Sequence, residues 1–145
     1  MEQSTYIWLQ NNDYTLDEID KQGSYGNTAL MKAAREGNAG IVSDLLEEGA
    51  DIHLKNIDGN TALWLACFGE DIEIIKMLVD KGIEIDTLNV NGVTSLMYAA
   101  SSGKEEIVSL LVDAGADVRI KNPDDFTALD LAVTPKILRI LKNAL

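Results

Sequence analysis

The sequence predicts an all-α repeat fold, a solenoid of helix-turn-helix units joined by β-hairpin loops. Three observations carry this. Thr28-Ala29-Leu30 returns as Thr61-Ala62-Leu63, Thr94-Ser95-Leu96 and Thr127-Ala128-Leu129, each 33 residues after the last, and a fixed period of this size marks stacked supersecondary units. Apolar stripes of helical spacing follow each Thr. Gly49, Gly82 and Gly115 then close successive units, at a place suited to a left-handed helix terminus.

Taken in order, residues 1–22 read as a degenerate half-repeat that caps the N-terminal end. Tyr6 to Leu9 fall, one period earlier, near Ile41-Val42, and Ile19 falls on the Ile52 register. In residues 23–55, Leu30, Ala33 and Ala34 share one helical stripe, Gly37-Asn38 interrupts it, and Ile41, Val42, Leu45 and Leu46 form a second. Residues 56–88 repeat this through Ala66, Ile74-Ile75 and Leu78-Val79, and residues 89–121 through Ala99, Ile107-Val108 and Leu111-Val112. Ala33/Ala34, Cys67 and Ala99/Ala100 are expected to be small because two helices approach closely there. Asn56-Ile57-Asp58-Gly59 signals a turn between units. Residues 122–145 form a shortened capping unit, in which Ile137, Leu138, Leu141 and Leu145 are apolar while Lys136, Arg139 and Lys142 meet water. Such a polar end is what keeps an exposed repeat face from aggregating. The whole chain is therefore expected to be one domain.

This pattern resembles the ankyrin repeat, whose first helix opens with Thr-Pro-Leu-His-x-Ala. The resemblance covers roughly residues 23–145. Ala or Ser replaces the Pro throughout, and the His becomes Met31, Trp64, Met97 and Asp130. The resemblance thus implies that the Thr–His hydrogen bonds tying neighbouring loops are missing, and that the loops are looser than in a consensus stack. It also implies a protein partner, docked on the loop tips and on the exposed flank of the first helices. In this chain's register those positions include Tyr25 and Arg35 in the first unit. Ile57, Asp58, Asn60, Phe68 and Leu88 follow in the second, with Trp64 on the same helix. Val90, Asn91, Val93 and Ser101 belong to the third unit, and Asp124 and Phe126 to the last.

Positions that face water should be polar, yet Ile57, Phe68, Leu88, Val90, Val93 and Phe126 are not. A contiguous apolar patch with a polar rim marks a partner site; side chains packing between adjacent loops give the same sequence pattern. The net charge of −12 is likewise open to two readings. Eleven of those twelve charges lie in residues 1–88. They serve solubility, or they attract a basic partner surface and raise the association rate.

Composition narrows the function classes. Phosphate-backbone binding needs clustered Lys and Arg, so no nucleic-acid partner is expected. Met1 to Asn12 holds no Lys or Arg and lacks signal-peptide form, and no apolar run approaches a membrane span. One Cys excludes an intramolecular disulfide, and a cytoplasmic protein is expected. His53 reads as a solvated loop residue and Cys67 as a buried thiol, and neither has metal-ligand spacing. No phosphate loop, nucleophile elbow or calcium loop is present, so neither a cofactor nor catalysis is expected. The reading is a monomeric, non-catalytic protein-binding module: an adaptor, chaperone or inhibitor. An acidic inhibitor masking a basic active site, and a self-associating structural protein, are the alternatives.

Overall fold

A computed structural model describes residues 1–145, all helix and turn, with no residue in a strand. Nine α-helices follow in order: α1 (Gln3–Asn11), α2 (Ala29–Arg35), α3 (Ala39–Glu47), α4 (Ala62–Phe68), α5 (Ile72–Asp80), α6 (Ser95–Ser101), α7 (Glu105–Asp113), α8 (Ala128–Leu131) and α9 (Pro135–Asn143). The chain divides into two compact units, Met1–Ile83 and Glu84–Leu145.

The repeated Thr is a helix cap. Thr28, Thr94 and Thr127 stand just outside α2, α6 and α8, and each hydroxyl accepts a hydrogen bond from the backbone N–H three residues on. That contact satisfies one of the donors a helix start leaves orphaned. Asn38 and Asp71 cap α3 and α5 in the same way. The interruption at Gly37-Asn38 is therefore the start of the next helix. The other ends are closed by Gly49, Gly82 and Gly115, with φ of 88°, 83° and 99°. In each case the following residue donates back across the last turn, as Ala50 N–H does to Leu45 C=O at 3.0 Å. Only glycine takes this left-handed geometry without a Cβ penalty.

In the first unit α2 packs on α3 and α4, α4 on α5, and α3 on α1 and α5. Leu30, Leu45, Leu63, Ile74, Ile75 and Leu78 are fully buried between them, each contributing about 1.5–3 kcal/mol of hydrophobic stabilisation. Ala33, Ala34, Ala66 and Cys67 are also sealed from solvent. Gly69 shows how close α2 and α4 come: a Cβ there would lie 2.5 Å from the Arg35 carbonyl oxygen. In the second unit α6 packs on α7 and α8, and α9 on α7 and α8, around Leu96, Leu111, Ile137 and Leu141.

The chain ends depart from the period in opposite senses. Helix α1 begins at Gln3 and α3 at Ala39, so α1 sits three residues earlier than the 33-residue register places it. The extra length forms the segment around Tyr14, whose buried hydroxyl donates to the Asn27 carbonyl at 2.7 Å. At the other end α8 has one turn and stops where Ala132 becomes extended (φ −61°, ψ 128°). Thr134, which precedes Pro135, is extended as well (φ −127°, ψ 151°). Pro135 then opens α9 at its first helical position, where no N–H is needed.

The loops expected as β-hairpins close instead as hydrogen-bonded turns without strand pairing. Asn56 N–H donates to Asn60 C=O at 3.0 Å, and the Asn56 side-chain oxygen accepts from the N–H groups of Asp58 and Asn60. Asn89 and Asn122 do the same in their loops, to residues 91 and 93 and to residues 124 and 126. The side chain takes the inward N–H groups that a ladder would use, and the loop ends there.

Candidate protein-docking surface

The Asn-centred turns present two residues at each tip. In the second loop these are Ile57 (65% exposed) and Asp58, and in the third Val90 (68% exposed) and Asn91. The first loop lacks the Asn, having Gly23 in its place, and is built differently. Gly23 N–H donates to Asn27 C=O at 2.8 Å, and Tyr25 is left-handed with φ 59° and ψ 18°. An aromatic residue in this region is strained by about 1–2 kcal/mol. Tyr25 is also 72% exposed, and its carbonyl accepts from Ile57 N–H at 3.0 Å.

Below these tips, α2 and α4 place a cation–aromatic stack. The Arg35 guanidinium lies 5.1 Å from the Phe68 ring centroid. Phe68 in turn stacks on Trp64 at 5.9 Å and 14°. Two grooves flank this stack and share Tyr25, Asn27, Arg35 and Phe68 as walls. One, of about 360 Å³, runs towards Asp58 and Trp64. The other, of about 410 Å³, runs towards Tyr14, Lys21 and Lys32. Arginine and aromatic side chains of this kind anchor protein interfaces.

Other candidate positions fall differently. Asn60 is a correction: it is buried, 5% exposed, because both its N–H and its C=O are bonded to Asn56. It shapes the loop and offers little surface. Trp64 is half-buried under Phe68, and Val93 is half-buried where its N–H meets Asn89. In the second unit Leu88, Val90, Asn91, Ser101, Asp124 and Phe126 are exposed. The Ser101 hydroxyl is turned back onto the Tyr98 carbonyl at 3.0 Å. His53 is exposed and Cys67 buried. No three His, Cys, Asp or Glu side chains gather as a metal site requires, and no helix is long and apolar enough to cross a membrane.

A profile described as ankyrin repeats (3 copies) matches residues 5–89, 30–122 and 84–144. The chain belongs to the ankyrin repeat family. Its fold is the all-α repeat of that family, and ankyrin repeats generally serve as protein–protein interaction modules. No curated protein matches the chain.

Within the ankyrin framework, the lost His is partly replaced. Met31 sulfur accepts from Thr28 N–H at 3.5 Å, and the Asp130 carboxylate accepts from both the N–H and the hydroxyl of Thr127. The first two loops are tied by other groups. Asn56 side-chain N–H donates to the Asn27 side-chain oxygen at 2.9 Å, and the Gln22 amide donates to both Gly26 and Lys55 carbonyls. These ties explain how the loops hold together without the family's Thr–His pair. Asn56 is one of three Asn, with Asn89 and Asn122, that recur at the same 33-residue spacing; the ties through Asn27 and Gln22 have no such repeat signal. Sequence reasoning passed over these ties and over the exposed Tyr6 and Ile7 on α1, each 51% exposed.

Proposed function

We propose that this ankyrin-repeat chain is a non-catalytic, monomeric module that docks one protein partner across its loop tips and first-helix flanks. The observation that carries the reading is the Tyr25–Arg35–Phe68–Trp64 constellation. An aromatic tip in a strained conformation costs stability, which a docking role accounts for, and the stacked guanidinium between two open grooves is a preformed interface anchor. Within the first unit Ile57 supplies apolar contact area beside it, with Asp58 as a polar rim; the second unit by itself exposes Leu88, Val90 and Phe126 together with Asn91 and Asp124.

The test begins with affinity capture from the native host and identification of the protein that co-purifies. Titrating that protein against a Phe68→Ala/Phe126→Ala variant, checked for fold by circular dichroism, is expected to weaken binding by ~30-fold or more, the scale of one lost hot spot. Wild-type affinity in the folded double variant would remove the assignment. The acidic character of residues 1–88 favours a partner whose surroundings are basic, as an inhibitor of a basic active site would meet. An association rate that falls steeply with salt supports that form of the proposal, and a flat one counts against it.

A further inference from the structure

The groove at the foot of Tyr25 runs against the charge of the chain around it. Residues 1–88 hold six Lys or Arg side chains, and three of them, Lys21, Lys32 and Arg35, line this one groove of about 410 Å³. Two carboxylates, Asp13 and Glu36, share the lining, and Glu36 is committed to the Trp8 indole N–H at 3.0 Å. None of the three cations is ion-paired within the chain. With 24 acidic side chains against 12 basic ones, an internal partner for each would be easy to supply. Arg35 is instead fixed by the Phe68 ring, which orients the guanidinium without neutralising it and leaves its N–H edge for a planar acceptor.

We propose that this groove seats an acidic peptide segment of the partner, with a carboxylate among Lys21, Lys32 and Arg35 and an apolar neighbour against Tyr25 and Phe68. The inference rests on the reading of this surface as a protein-docking site and names the chemistry it selects. The groove's volume lies in the range of small-ligand and side-chain pockets, roughly 300–1,000 Å³. At physiological salt, charges beyond about 8 Å are largely screened. A seated carboxylate is therefore governed by the groove's own charges, three cations against Asp13 and Glu36, while the net −12 of the chain acts on the rest of the partner. The two fields together select an acidic segment displayed on a surface that is otherwise not acidic.

The experiment titrates the 15N-labelled chain with three probes: a short synthetic peptide of Glu, Leu and Gly, the same peptide with Lys for Glu, and sodium phosphate. The Glu peptide is expected to move the amide signals of Lys21, Tyr25, Lys32 and Arg35 saturably, and the Lys peptide to leave them in place. A Lys32→Glu/Arg35→Glu variant is expected to weaken the Glu peptide by ~10-fold or more. Lys21→Glu, at an exposed position, gives a second reading if the double variant does not fold. The proposal is overturned by equal binding of the two peptides, by shifts confined to other residues, or by unchanged affinity in the charge variants. Phosphate binding without peptide binding also overturns it, since that describes an anion site of another kind. The same variants separate this proposal from the docking reading. If the captured partner depends on Phe68 yet ignores Lys21→Glu and Lys32→Glu/Arg35→Glu, the charge assignment fails and docking stands; if it ignores Phe68 and Phe126 as well, the docking surface itself is misplaced.

Discussion

Replacing Gly69 by alanine forces two helices apart, and replacing Gly40 by alanine does the opposite of harm. Gly69 ends α4 with φ −73° and ψ −7°, a conformation open to any residue. On backbone entropy alone, Gly→Ala there would stabilise by about 0.4–1 kcal/mol. The added Cβ, however, would lie 2.5 Å from the Arg35 carbonyl oxygen and 2.8 Å from that of Ala34. Both are backbone atoms with no rotamer to change, so α2 must retreat by roughly 1 Å to restore a contact near 3.5 Å. Overpacking of this kind costs about 1–3 kcal/mol, and the net expectation is a loss of ~1–2 kcal/mol. Gly40 sits in the first turn of α3 with nothing within 4 Å of its added Cβ, and its alanine variant should gain about 0.5 kcal/mol. Urea unfolding followed by circular dichroism reads both, with midpoints moving in opposite directions and an unchanged slope. A Gly69→Ala protein as stable as the wild type would refute the close approach of α2 and α4.

Asn56→Ala should cost about 2 kcal/mol, because a buried side chain with three hydrogen bonds is lost; Asn89→Ala and Asn122→Ala, with wetter turns, should cost about 1 kcal/mol each. Chemical denaturation gives the ranking, and equal losses would contradict it. Asp125 holds φ 71° where the other units have glycine, so Asp125→Gly should raise stability by ~0.5 kcal/mol, less a few tenths for its exposed ion pair with Lys121. Burial raises the Tyr14 hydroxyl above its ordinary pKa of 10.0. The unfolded chain then loses this proton first, so the contribution is complete below pH 10 and declines as pH rises through the folded value. Tyr14→Phe should flatten the alkaline loss of stability while lowering stability at neutral pH, since the hydroxyl's bond to Asn27 disappears.

Much of this fold was legible because its determinants are local and recur. Thr28, Thr94 and Thr127 mark helix starts by the same bond, Thr61 marks its helix start without it, and Gly49, Gly82 and Gly115 mark helix ends by similar positive φ. What escaped was set by contacts that occur once. The three-residue offset of α1 and the burial of Tyr14 depend on a segment with no second copy for comparison. The strained Tyr25 arises from Gly23 standing where the other loops have Asn, a difference visible only once the role of that Asn is known. Asn60 looked like a tip residue because burial inside a turn leaves no trace in polarity. The groove cations were hidden by the net charge: Lys32 and Arg35 share α2, and only folding brings Lys21 to the same cavity.

The Asn-centred turn has a consequence for which substitutions such a chain tolerates. One side chain at position 56, 89 or 122 completes the loop, and the two tip residues after it take part through their backbones alone, leaving their side chains outside these bonds. Ile57-Asp58, Val90-Asn91 and Pro123-Asp124 are accordingly dissimilar in size, charge and backbone restriction while their loops keep the same bonds. Substituting a tip side chain that makes none of these bonds therefore leaves the closure of its loop intact.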